Sequence, residues 1–145
     1  MYVRAILAIV IWLPLIGVAE DRCPWLNAAT AAGILSGAAH ATVTSASCEF
    51  LRQSSGHEAV LRIEVSPASA PHAQCGSGAV ALKAIGNEAA ACTYQGKPGL
   101  MIEQVVGRVR DQAFLVRMGS NDPSADAKVL REKARSVAEQ VAGFL

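Results

Sequence analysis

Residues 58–65 read Glu58-Ala59-Val60-Leu61-Arg62-Ile63-Glu64-Val65, and they decide the fold class. Ala59, Leu61, Ile63 and Val65 point to one side; Glu58, Arg62 and Glu64 point to the other, with Val60 the exception. Successive side chains of a strand alternate between faces, so this period of two marks a half-buried antiparallel strand.

On its N-terminal side, Gln53-Ser54-Ser55-Gly56 is a turn, and residues 41–44 and 48–52 have strand character. On the other side, residues 66–78 are rich in Ser, Pro, Ala and Gly and read as a loop. Residues 79–85 fit a short helix or a strand alike. After Gly86-Asn87-Glu88, residues 89–94, 100–108 and 113–118 are strands separated by 95–99 and 110–112, a meander of three.

Two helices flank the strands. Asn27 is an N-cap for residues 28–35, Leu26 and Ala31 stand at staple positions, and Gly37 lies just beyond the end. Its alanines and Gly33 predict one face lying close against a neighbour. Near the C-terminus, Asp122 and Pro123 fit N-cap and N1. Ala127, Leu130, Ala134, Val137 and Val141 recur at spacings of three and four, widened by Val129, Ala138 and Ala142, with Gly143 closing the helix. Arg135 and Glu139 add an i,i+4 pair worth only about 0.3 kcal/mol. The pattern predicts an α+β domain: an antiparallel sheet of five or six strands, the long C-terminal helix packed across one face, a short N-terminal helix beside it, and the other face open or partly covered by loop 66–78.

Residues 1–19 read as a signal peptide: Arg4, an apolar run over 5–16 broken by Pro14, then Gly17-Val18-Ala19 before Glu20. The run falls short of the roughly 20 residues of a spanning helix. The expected product is a single domain, 20–145, without a stable membrane anchor after cleavage, secreted or periplasmic. Cys23, Cys48, Cys75 and Cys92 all follow the cut and are expected as two disulfides in an oxidising compartment. Cys23 with Cys48 and Cys75 with Cys92 are favoured because each joins neighbouring segments. Their gaps of 25, 27 and 17 residues lack the close cysteine pairs that zinc sites use.

The whole chain has 13 basic and 12 acidic residues; without Arg4 the two are equal over 20–145. A neutral chain without like-charge runs exerts no pull on nucleic acid or an anionic membrane. Gln74-Cys75-Gly76-Ser77 is similar to part of the nucleophile motif of papain-like proteases, but no histidine follows His72 to activate a thiolate. Gln104-Val105-Val106-Gly107 resembles the Gln-x-Val-x-Gly loop of cystatins, one residue short and inside a strand, where a glycine suggests a bulge. His40, His57 and His72 read as loop or strand-end histidines, and no Gly-x-Ser-x-Gly elbow accompanies Ser54, Ser55 or Ser77. Gly76-Ser77-Gly78 reads as a flexible loop rather than an anion nest. Trp25 reads as the lid of the core, or as a recognition anchor if exposed.

Cys48-Glu49-Phe50 and Cys92-Thr93-Tyr94 share a cysteine-polar-aromatic pattern, as if one hairpin unit were used twice. With Cys23-Pro24-Trp25-Leu26 before an alanine helix, Ile85-Gly86-Asn87-Glu88-Ala89, and a last helix ending Ala138-Glu139-Gln140-Val141-Ala142-Gly143, the chain resembles small exported bacterial proteins of the mycobacterial secreted-lipoprotein kind. Glu20-Asp21-Arg22 before Cys23 depart from a lipidation site. The resemblance implies fold and location and carries no catalytic residue.

The expected function is a non-catalytic binding module for a small molecule or an envelope protein, without metal or cofactor, with Trp25 and Met101 as candidate binding residues. The alternatives are a cell-envelope hydrolase built on His57 or His72, and a cystatin-like protease inhibitor presenting residues 104–107 at a tip.

Overall fold

A computed structural model describes residues 22–145; the predicted signal segment and its cleavage point lie outside the described residues. The chain runs α1 (Ala28–Leu35), β1 (His40–Val43), β2 (Ser47–Ser54), β3 (His57–Pro67), β4 (Val80–Leu82), β5 (Glu88–Tyr94), β6 (Met101–Val109), β7 (Gln112–Ser120) and α2 (Ala127–Phe144). One antiparallel sheet of seven strands has the order β1-β2-β3-β7-β6-β5-β4. The architecture is α+β as expected, but the sheet holds seven strands rather than five or six. The additional strand is β4, three residues resolving the ambiguous stretch 79–85; it survives as an edge through pairing Val80 with Ala91 and Leu82 with Ala89.

Strand alternation divides the sheet into two unlike faces. Register aligns Phe50, Leu61, Met118 and Glu103 across β2, β3, β7 and β6, and likewise Cys48, Ile63, Val116 and Val105. These rows face both helices. Together with Leu35 from α1 and Ala134, Val137 and Val141 from α2 they form the buried core. Fully burying a Val, Leu or Phe side chain contributes roughly 2 kcal/mol, so this one face supplies most of the hydrophobic stabilisation.

α1 starts as expected, with Asn27 Oδ1 accepting from Thr30 N at 2.8 Å. Leu26 and Ala31 are both buried. The close face of α1 is made by Ala31 and Leu35, however, whereas Gly33 has open space around its α-carbon. α2 begins four residues later than expected: Asp126 is its N-cap, accepting from Lys128 N and Val129 N. Asp122 instead closes a turn, accepting from both the backbone N–H and the hydroxyl of Ser124 at 2.9 and 2.8 Å. Proline suits the second position of a turn and the first of a helix equally, which is why Asp122-Pro123 reads either way. At the other end Gly143 lies inside α2 rather than closing it, with Leu145 at the cap.

One buried charge joins sheet to helix. Glu103, 1% exposed, accepts from Thr93 Oγ1 at 2.8 Å and from Arg131 Nε at 2.8 Å. Gly107 marks no bulge; it pairs regularly with Ala89 and Phe114. A Cβ there would meet the Phe114 ring and lie 2.8 Å from Glu88 O, so the missing side chain is what lets the ring cross β6.

Candidate functional site

The face turned away from the helices carries the candidate site. A row of paired residues crosses it: Glu49, Arg62, Arg117, Gln104 and Cys92 on β2, β3, β7, β6 and β5. Arg62 donates to Glu49 at 3.0 Å and to Glu64 at 2.6 Å. The hydrogen bond to Glu64, aided by Glu49, raises its guanidinium above the ordinary arginine value, so it stays charged throughout the working pH range. Arg117 is held differently. Its Nε donates to Gln104 Oε1 at 3.0 Å, and its guanidinium carbon lies 3.7 Å from the centre of the Tyr94 ring. Gln104 is buried and turns its amide N–H toward Cys92 Sγ at 3.2 Å, which fixes which end of the amide faces Arg117.

Residues 68–79 cross this face as a strap. Their composition of Ala, Ser, Pro and Gly has no periodicity with which to join a ladder. The strap begins with Ala68 N on Asp111 O at 2.7 Å and a short turn closed by Ala70 N on Pro67 O. It is then tied down by the Cys75–Cys92 disulfide. On one side it leaves a groove of about 500 Å³, floored by Arg62, Glu64, Ala113 and Leu115 and edged by His72. On the other lies a groove of about 420 Å³, floored by Ala90, Val106 and Arg108.

The second disulfide, Cys23–Cys48, joins the approach to α1 with the helix side of β2. Both pairings are therefore those expected, and they clamp opposite faces of the sheet. The two cysteine-polar-aromatic segments are consequently not one unit repeated: Cys48 and Phe50 enter the core, whereas Cys92 and Tyr94 lie on the opposite face of the sheet. Disulfides of this kind persist in oxidising surroundings. No helix among the described residues is long and apolar enough to cross a membrane.

The remaining candidates fall apart spatially. Trp25 is buried in the core cluster, the lid position, and Met101 is exposed at the start of β6 on the helix side, so neither lines a groove beside the strap. Residues 104–107 run through the interior of β6, hydrogen-bonded to β5 and β7, with no exposed tip. Cys75 is oxidised and offers no thiolate. His72 Nδ1 lies 2.8 Å from Ala70 O, while Glu64, on the same groove, is taken by Arg62. His40 lines a different groove, with Leu26, Ala41 and Phe50. His57 stands with Ser54, Ser55 and Asn121 at the far end of the β2–β3 hairpin. Among the described residues no three His, Cys, Asp or Glu side chains converge to hold a metal.

Sequence reading missed Arg117; it took Gln104 only as part of the cystatin-like segment and Tyr94 only as part of the cysteine-polar-aromatic pattern, not as neighbours of an arginine. A signal existed in the single charged residue inside Phe114-Leu115-Val116-Arg117-Met118. Its neighbours belong to other strands, and only the register brings them together. Set against protein-family models, curated proteins and solved structures, the chain matches none of them.

Proposed function

We propose that the protein is an exported, non-catalytic binding module, secreted or periplasmic, that takes a small molecule on its uncovered sheet face. The observation that carries this reading is the strap: a segment outside the core, clasped over a mixed polar and apolar face so that a groove of about 500 Å³ and one of about 420 Å³ remain beside it. Both volumes fall in the range of small-molecule sites. Leu115, Ala113 and Val106 supply apolar floor; Arg62, Glu64 and Arg108 supply a few fixed polar groups. Export is supported by the two disulfides and by the amino-terminal pattern of residues 1–19. The resemblance to small exported bacterial proteins adds the bacterial envelope as the compartment.

The test is intact and native mass spectrometry of the protein recovered from an exporting host, followed by backbone amide NMR while the retained compound is stripped and returned. Expected are a chain beginning at Glu20, a small non-covalent adduct, and shifts concentrated at residues 70–75, 104–106 and 113–117. Shifts confined to α2 or to the β1 edge would overturn the assignment of the face. Association with a macromolecule alone, leaving the strap resonances unmoved, would overturn the small-molecule reading.

A further inference from the structure

Each disulfide turns one sulfur toward a groove and keeps the other inside. Cys75 lines the groove of about 420 Å³ beside the strap, and its partner Cys92 is 7% exposed. Cys23 lines the groove it shares with Asn27 and His40, and its partner Cys48 is fully buried. An attacking thiolate can therefore reach Cys75 or Cys23, and the sulfur that must leave is Cys92 or Cys48. Exchange is faster when the leaving sulfur is stabilised as an anion. The two leaving sulfurs stand in unlike surroundings. Cys48 lies in a core row with Ile63, Val116 and Val105, and no donor reaches its sulfur among the described residues. A thiolate there would be buried without a partner. Cys92 Sγ receives the Gln104 amide N–H at 3.2 Å. Arg117 donates from Nε to the oxygen of the same amide at 3.0 Å, which strengthens that N–H as a donor. Arg117 takes part in no ion pair among the described residues, so its charge meets an anion only when one forms at the far end of the amide. Cys75 has the opposite neighbour: Ala90 O, an acceptor, lies 3.8 Å from its sulfur. A donor at Cys92 and an acceptor at Cys75 favour negative charge on the first and a proton on the second.

We propose that Cys75–Cys92 is a site of thiol–disulfide exchange, opened from the Cys75 side by an external dithiol, with Cys92 as the leaving sulfur. The assignment does not depend on the small-molecule reading of the same face. The dithiol gives one proton to water, and its thiolate attacks Cys75 Sγ. A bond forms between those two sulfurs, the Cys75–Cys92 bond breaks, and its electron pair leaves on Cys92 Sγ under the Gln104 N–H. The second sulfur of the dithiol then attacks the first, passing its proton to Cys75 as that sulfur is expelled. The dithiol departs as a disulfide, and the protein has gained two electrons, with Cys75 a thiol beside Ala90 O and Cys92 a thiolate. Gly76-Ser77-Gly78 follow the attacked cysteine directly, are exposed, and set only one small side chain beside it. Opening frees the strap, because no backbone hydrogen bond ties residues 71–79 to the sheet among the described residues. The turn at Ala68 and the pairing of β4 hold its two ends.

The test treats the folded, disulfide-intact protein with dithiothreitol at neutral pH and without denaturant. Samples are quenched in acid, alkylated and mapped by peptide mass. Cys75 and Cys92 are expected to become alkylated about tenfold or more faster than Cys23 and Cys48, while amide exchange shows α2 protected and residues 71–79 open. A monothiol, 2-mercaptoethanol, is expected to leave its mixed disulfide on Cys75 and the alkyl group on Cys92. Gln104→Leu removes the donor and is expected to slow the opening about threefold or more, with the Cys23–Cys48 rate unchanged. Arg117→Met leaves the amide in place and is expected to slow it by less. Where Gln104→Leu loses the protection of α2, Arg117→Met alone decides the role of the amide. Reduction of both disulfides together at the rate of global unfolding overturns the proposal, as does no reduction short of denaturant. A mixed disulfide on Cys92 overturns the direction of attack. Parent rates in these variants, with α2 protected, overturn the part given to Gln104 and Arg117.

Discussion

Arg131→Met gives the sharpest test of how the sheet and its long helix are held together. Glu103 is 1% exposed and keeps three donors: Thr93 Oγ1, Arg131 Nε and Arg131 Nη2, the last at 2.7 Å. Replacing the arginine by a residue of similar length preserves the packing of its stem and leaves the carboxylate with Thr93 alone. Breaking a buried ion pair from one side costs about 3–5 kcal/mol. The Arg131 side chain is 37% exposed, so water enters from that side, and the expected loss lies near the lower end, about 3 kcal/mol. Glu103→Leu behaves differently, because the freed arginine turns to solvent and an apolar side chain replaces a carboxylate in the core; its cost is about 1 kcal/mol. The double variant Glu103→Leu/Arg131→Met is therefore more stable than Arg131→Met alone. Urea unfolding followed by fluorescence of Trp25, buried in the same core, measures all four species at constant m. Arg131→Met within about 0.5 kcal/mol of the parent, or a double variant no more stable than Arg131→Met alone, would refute the coupling.

Three further outcomes follow from particular contacts. Replacing Cys75 and Cys92 together by Ala is expected to cost about 3 kcal/mol, the loop-closure term for a bridge across 17 residues, and to raise amide exchange over 70–79 while α2 stays protected. Gly107→Ala forces a methyl group against the Phe114 ring and Glu88 O and is expected to destabilise by about 1–3 kcal/mol, recovered in part by Phe114→Leu; thermal unfolding of the two variants decides it. The Ser124 backbone N–H, and after it the Ser124 hydroxyl, hold the Asp122 carboxyl below its usual 3.8. Its contribution is therefore present in full above that value and is lost as pH falls through the lowered folded value, so Asp122→Asn, compared with the parent by acid titration of stability, removes that part of the acid slope.

Features legible in the sequence were those with a strong local period. Residues 58–65 alternate with Val60 as the one exception and form a strand as expected; Asn27 as a cap and the two cysteine pairings also emerge as expected. The stripe of α2 is buried at Leu130, Ala134, Val137, Ala138 and Val141, while Ala127 and Val129, expected in it, are exposed. Local ambiguity accounts for the errors. Val80–Leu82 is too short to show a period and becomes a strand only because β5 offers it an edge. Asp122 and Asp126 both have the chemistry of a cap, and pairing at the end of β7 leaves the first of them in a turn. The site was less legible for a different reason. Arg117, Gln104 and Tyr94 stand on three strands, and their meeting depends on a register that no single strand encodes.

The division of labour between the faces also separates the two disulfides by purpose. Cys23–Cys48 anchors the chain next to Trp25, Leu26, Ala31 and Leu35, all in the core, and α1 has only eight residues, too few to persist without tertiary support. Its removal releases packing as well as chain entropy. Cys75–Cys92 holds a segment that contributes no residue to the core cluster, on a face whose centre is polar. What that bridge adds beyond entropy is position: it keeps the strap between two grooves and sets Cys92 Sγ against the Gln104 amide. The amide in turn orients Arg117.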